Sequence, residues 1–268
     1  MLIIEALASL RADRSEAAMM QPRNHKGSRR ETPKELRMRG MKLIVLSLML
    51  AAGTAGAQVT GTVTVTSDYD FRGFSQSAGD PAVQGSVDWA DDSGIYAGVW
   101  GSNVDFGEGS ESDVEIDLYA GFAGGDEDGL GYDFGVVYYS YWPDDDEVDY
   151  FEIFAGLTYN IAEIKGWYSD DYFGVGESAY YLEGNLNFEL PQEFGLGLHL
   201  GMSDGDAFED SVIDYGVSVS KSFSNFDFEL KYVDTDLDSE DCETEDDVFT
   251  CEGRVILSVS TTFPWGAE

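Results

Sequence analysis

From about residue 58 to the end, the chain alternates apolar and polar side chains with a period of two, and does so about twelve times. Period-two alternation gives an extended strand one apolar and one polar face. A helix would need apolar residues three and four apart, and that spacing is almost missing. In VEIDLYAGF, Val114, Ile116, Leu118, Ala120 and Phe122 fall on one face, and Glu115, Asp117, Tyr119 and Gly121 on the other. YLEGNLNFEL, FGLGLHLGM, FDFELKY and VILSVSTTF repeat the pattern. The segments are placed at 59–67, 82–90, 94–104, 114–124, 130–142, 149–160, 162–170, 178–190, 194–203, 212–223, 226–235 and 254–263. An all-β fold follows. The open question is what covers a dozen apolar faces.

Segment length and linker length answer it together. Strands of roughly 9–13 residues suit a tilted crossing of a hydrocarbon layer. The links alternate in size. DDSG, GDEDG, a turn near Asn160-Ile161, PQE and SN are short. DYDFRGFSQSAGD, DFGEGSESD, PDDDEV, DDYFGVGE, SDGDAFEDS and DLDSEDCETEDDVFTCEG are mostly longer and more acidic. Short turns at one rim and long loops at the other mark an antiparallel up-and-down transmembrane β-barrel of the bacterial outer membrane, with both termini on the short-turn side. A soluble sandwich is the alternative. Aromatic residues near strand ends favour the barrel, since they form interfacial girdles: Trp89, Trp100, Tyr132, Tyr138, Trp142, Tyr159, Tyr168, Tyr180, Tyr215 and Tyr232.

The first 57 residues differ. Residues 1–40 carry nine Lys/Arg and no periodic pattern, and they read as an upstream extension. MKLIVLSLMLAAGTAGAQ, from Met41, has a basic start, an apolar run and a small-residue end at Ala55-Gly56-Ala57. That is the pattern of a secretory signal over 41–57, which leaves 58–268 as the barrel. This remainder holds five Lys/Arg against 47 Asp/Glu. Such a chain repels nucleic acid and anionic membrane surfaces. Its acidity has two readings, adaptation to saline surroundings or attraction of cations.

Two cysteines, Cys242 and Cys251, lie within the last long loop, and in an oxidising compartment they are expected to form a local disulfide. No metal is expected there, because two thiols without a nearby histidine do not complete a site. The acids of DTDLDSED (Asp234, Asp236, Asp238, Asp241) lack the glycine and the glutamate spacing of a calcium loop and read as a solvated acidic loop. No cofactor is expected.

The stretches SDYDFRGFSQS and DPAVQGSVDWADDSGIYAGVWGSNVDF resemble the opening of the TorF-type porin family, also called Gcw_chp. The order Arg72-Gly73, Ser75-Gln76, Pro81-Ala82-Val83-Gln84-Gly85, Gly94, Tyr96-Ala97-Gly98 and Ser102-Asn103-Val104-Asp105 carries the resemblance, which runs in pattern over roughly 58–263. It implies an outer-membrane barrel acting as a porin, with membrane lipid and the assembly machinery as partners. One departure lies at the end. Such barrels usually close on an aromatic residue that the assembly machinery reads, and here Phe263 is followed by PWGAE.

If the apolar faces meet lipid, the others line a lumen. Parity then turns Asp88, Glu115, Asp117, Asp133, Glu152, Glu163, Glu183, Glu189, Asp227 and Glu229 inward, against only Lys165, Lys231 and Arg254. Acidic linings favour cations. The expectation is a passive, cation-preferring channel for small solutes. A plugged structural or ligand-binding barrel is the alternative. His199, the single histidine of this region, sits on the inward face between Gly197 and Gly201 and reads as a pore-lining residue rather than a catalytic base. Catalysis is not expected. Arg72 has two readings: a local ion pair with Asp68 or Asp70, or a residue folded into the mouth.

Overall fold

The computed structural model describes residues 57–265 apart from 108–109, 111, 127–128, 144–147, 239–241 and 243–249. The extension and export signal expected over 1–57 lie outside these residues except for Ala57. Twelve strands form one closed antiparallel barrel. They are β1 (Ala57–Thr66), β4 (Ala82–Asp91), β5 (Ile95–Asn103), β6 (Val114–Gly125), β7 (Leu130–Trp142), β8 (Tyr150–Tyr159), β9 (Ala162–Ser169), β10 (Ala179–Leu190), β11 (Phe194–Asp204), β12 (Val212–Phe223), β13 (Phe226–Thr235) and β14 (Arg254–Phe263). Two tiny strands, β2 (Asp70–Phe71) and β3 (Phe74–Ser75), pair with each other inside the first long loop. A single 3-10 turn, η1 (Tyr172–Gly174), follows β9.

Every barrel strand pairs with its sequence neighbour, and β1 closes the ring on β14, with Val63 opposite Thr261 and Thr66 opposite Ser258. Closure leaves no free edge, the condition for putting backbone amides into hydrocarbon. The expected strands match to within two residues at each end, because alternation fixes them and the turns punctuate them. At the β8–β9 link, Asn160 takes a left-handed conformation (φ 54°) that a two-residue hairpin demands and asparagine tolerates. At the β4–β5 link, Asp91 Oδ1 accepts from the Ser93 and Ile95 amides at 2.9 and 3.2 Å and holds the turn.

The two faces separate as parity demands. Val65, Phe134, Ile153, Leu200, Leu230 and Val255 stand exposed on the outer wall. So broad an apolar surface suits contact with hydrocarbon rather than water. At the long-loop rim, outward tyrosines turn their hydroxyls to acids at the strand ends. Tyr180 donates to Asp204 at 2.8 Å, and Tyr215 and Tyr232 donate to Asp234 at 3.1 and 2.7 Å. This is the amphipathic use expected of a girdle. Trp100 departs from the expected girdle. It faces inward, on the same side of β5 as Tyr96, and packs on Tyr69 of the first loop with ring centroids 5.3 Å apart. Cys242 and Cys251 form a disulfide nine positions apart.

Candidate functional site

The lumen is not uniform along its length. Toward the long-loop rim the inward residues are buried, among them Tyr139, Tyr141, Tyr150, Glu152, Tyr181 and Val233. Toward the short-turn rim they are half-buried or exposed, as at Glu163, Glu183, Glu189, Asp227 and Glu229. The difference comes from the first long loop, residues 67–81, which folds down into the barrel instead of standing above it.

The loop has a root and a tip. At the root, Arg254 of β14 donates from Nε to Asp68 and from Nη2 to Asp70, both at 2.5 Å, and from Nη1 to the Gly73 carbonyl at 2.9 Å. Lys231 of β13 donates to Asp70 at 2.6 Å. The Ser75 amide donates to the Thr250 carbonyl, beside Cys251, at 2.9 Å. At the tip, Arg72 and Gly73 turn the β2–β3 hairpin with φ of 53° and 90°. A Cβ on Gly73 would lie 2.5 Å from Thr235 Cγ2 and 2.9 Å from Asp214 Cβ, so the tip presses directly on the β12–β13 wall. Tyr69 packs on Trp100 and Phe71 on Tyr139.

Arg72 does not pair with Asp68 or Asp70, contrary to the local reading. The tight hairpin aims its side chain across the lumen to Glu152 on β8, with two parallel bonds of 2.8 and 2.7 Å. Asp68 and Asp70 are taken instead by the bases of β13 and β14. Burial works against the Arg72 charge, but the Glu152 carboxylate outweighs it and holds the guanidinium pKa above its usual range. Burial also pushes the Tyr69 hydroxyl well up, with Glu115 adding to it, and raises Tyr172 to about 12. Both shifts favour the neutral phenol, and Tyr69 donates its hydroxyl to Glu115.

The expected lining residues fall into two groups. Glu115, Asp117 and Glu152 point inward but lie beneath the loop, at 1%, 8% and 1% exposure, so they are contacts of the loop rather than walls of an open passage. Tyr69 donates to Glu115 at 3.2 Å, and Tyr139 to Glu152 at 3.0 Å. Lys231 is held by Asp70 at the loop root. Asp88, Glu183, His199 and Glu229 lie nearer the short-turn side and keep partial exposure. Asp88 accepts from Tyr119 and Ser86. His199 is bracketed by Asn185 on Nδ1 and Asp214 on Nε2, each at 2.7 Å, with Glu183 3.9 Å away. Tyr181 also donates to Asp214, at 3.1 Å. Among the described residues no group of acids, histidines and cysteines is arranged to hold a metal ion. Asp241 of the acidic last loop lies outside the described residues.

The inward aromatics Tyr139, Trp167 and Tyr181, and the buried Asp214, were not among the expected site residues. Strict parity finds them: Tyr139 is inward because Tyr138 is outward, and Asp214 because Tyr215 is. Their role was hidden, since parity assigns a face but not what covers it.

Residues 50–263 match the family model Gcw_chp, described as a bacterial protein of unknown function. The match carries the Gcw_chp half of the resemblance and not the TorF designation. No curated protein matches the sequence. Among solved structures, the NanC porin superposes with a TM-score of 0.52 at 7% identity, covering 77% of this chain and all of that one. The KdgM porin superposes with a TM-score of 0.50 at 9% identity over the same shares. These likenesses establish a porin-like twelve-stranded barrel.

Proposed function

The chain belongs to the Gcw_chp family, and from that premise we propose that it is an outer-membrane channel for small solutes, cation-preferring, whose mouth is narrowed by its own first loop. In this reading the segment at 41–57 exports the chain, the apolar wall contacts lipid, the assembly machinery inserts it, and the long loops face outward. The TorF-type resemblance points the same way.

The observation that carries the reading is the lumen below the loop. It is reachable from the short-turn rim and faced by Asp88, Glu163, Glu183, Glu189, Asp227 and Glu229. Against these, Lys165 is already paired with Asp133 at 2.8 Å. Carboxylates without a lysine or arginine partner on a confined wall raise the local concentration of cations and repel anions. Vesicles holding the refolded chain are expected to release a trapped cationic dye faster than an anionic dye of the same size. Equal rates would remove the selectivity, and no release of either would remove the channel.

A second reading is a barrel that does not conduct. The observation favouring it is the burial of the long-loop half, where aromatic packing and four ion pairs hold the first loop in place.

A further inference from the structure

The strongest unassigned feature is the place where Arg72 ends. Its guanidinium meets both Glu152 oxygens, and both side chains are nearly sealed from solvent, at 7% and 1% exposure. Around it stand rings from three places on the wall. The guanidinium carbon lies 4.5 Å from the Tyr181 centroid, 5.5 Å from Trp167 and 6.0 Å from Tyr172, with Phe71 of the loop itself at 4.6 Å. Tyr139 fixes the carboxylate with a bond to Oε2. A planar cation with forked donors is what a bidentate carboxylate inside an aromatic cage recognises, and a compact ammonium fits it less well.

Most of this receptor belongs to the barrel and its β9–β10 link, and only the occupant and Phe71 come from the loop. The cage also continues. Phe154, Trp167 and Tyr181 are spaced 6.4 and 5.5 Å between centroids on β8, β9 and β10. Lys165 stands over the first two at 4.1 and 5.2 Å. Two of the chain's own cations thus sit on one aromatic run, and Glu183 flanks its lower side. Arg254 and Lys231 hold the loop at Asp68 and Asp70, and Arg254 adds a bond to the Gly73 carbonyl, so the Arg72 side chain can leave the cage while the rest of the loop stays. The tip carries backbone strain, since Arg72, like Ala78 further along the loop, is a non-glycine residue in the left-handed region.

We propose that Glu152, Tyr139, Trp167, Tyr172 and Tyr181 form a receptor for a guanidinium group, that Arg72 fills it as a tethered occupant, and that a guanidinium-bearing solute in the lumen competes for it. This names a solute class for the channel reading and rests on the lumen being a solute path.

The test is calorimetric titration of the folded, detergent-held barrel with methylguanidinium and with methylammonium. Arg72→Ala, which empties the cage, is expected to bind methylguanidinium saturably and at least about tenfold more tightly than methylammonium. The wild-type chain is expected to bind methylguanidinium at least about tenfold more weakly than Arg72→Ala. Arg72→Ala/Glu152→Gln is expected to lose the site. Folding is checked by heat-modifiable gel mobility, and Arg72→Gln replaces the alanine variant if that one does not fold. A folded Arg72 variant without saturable methylguanidinium binding overturns the proposal. Bilayer conductance is read in parallel. Binding to a barrel that does not conduct keeps the receptor and removes the channel reading, while conduction without binding removes the receptor alone.

Discussion

Arg72 at the tip of the first loop and Glu152 on β8, eighty positions apart in sequence, meet through two parallel hydrogen bonds of 2.8 and 2.7 Å inside the barrel. This contact ties the first loop inside the long-loop half of the lumen and narrows the mouth.

Breaking the contact from one side leaves Glu152 as a buried carboxylate without its cation. Arg72→Met is expected to weaken the docked state of the loop by about 3–5 kcal/mol. Cleavage of residues 67–81 by added protease should then accelerate, while the barrel strands stay protected. The double variant Arg72→Met/Glu152→Gln should recover most of the protection, because no uncompensated charge remains. Equal cleavage rates in the wild type and Arg72→Met would contradict the contact.

Gly73 and Gly79 give a matched pair. Both have positive φ, 90° and 72°, but only Gly73 would drive a new Cβ into the wall, at Thr235 and Asp214. Gly79→Ala should cost only backbone strain, about 1–2 kcal/mol. Gly73→Ala should cost more and lift the tip, read as faster amide exchange at Ser75. Equal effects of the two substitutions would show that the tip does not press on β12 and β13.

The disulfide acts on the same loop from above. Cys251 lies next to Thr250, whose carbonyl receives the Ser75 amide. Replacing both cysteines with serine is expected to remove about 2–3 kcal/mol from the last loop. Exchange at Ser75 should rise and exchange in β13 and β14 should hardly change. Unchanged Ser75 exchange would separate the disulfide from the first loop.

Neighbouring residues on β12 test the two faces. Val217 is outward and Ser218 inward. Val217→Lys should cost about 2–4 kcal/mol in folding into lipid vesicles, measured by urea titration. Ser218→Lys should be tolerated, and it would add a base opposite Lys231, its register partner. Similar costs at both sites would overturn the assignment of faces.

The legibility of the sequence follows from range. Alternation is local, so VEIDLYAGF and FDFELKY announced β6 and β13, and the count of twelve followed from repetition. The docking of the first loop is not local. SDYDFRGFSQS has the same composition whether it stands in water or enters the barrel. Its partners, Glu152, Lys231 and Arg254, lie 80, 161 and 184 positions from Arg72, Asp70 and Asp70 respectively. Parity placed Glu115, Asp117 and Glu152 on the inner face, and only the path of the loop shows them covered. The same cause put Trp100 among the expected girdle residues, since its position near a strand end is compatible with either face.

The central claim is a cation-preferring path through the barrel. The most direct measurement is single-channel current through residues 58–268 in a planar bilayer under a potassium chloride gradient. Discrete steps are expected, with a reversal potential toward the potassium equilibrium value, and that potential should move toward zero in Glu183→Gln/Glu229→Gln. A reversal potential at zero or on the chloride side in the wild-type chain, or no current from a folded barrel, would contradict the claim.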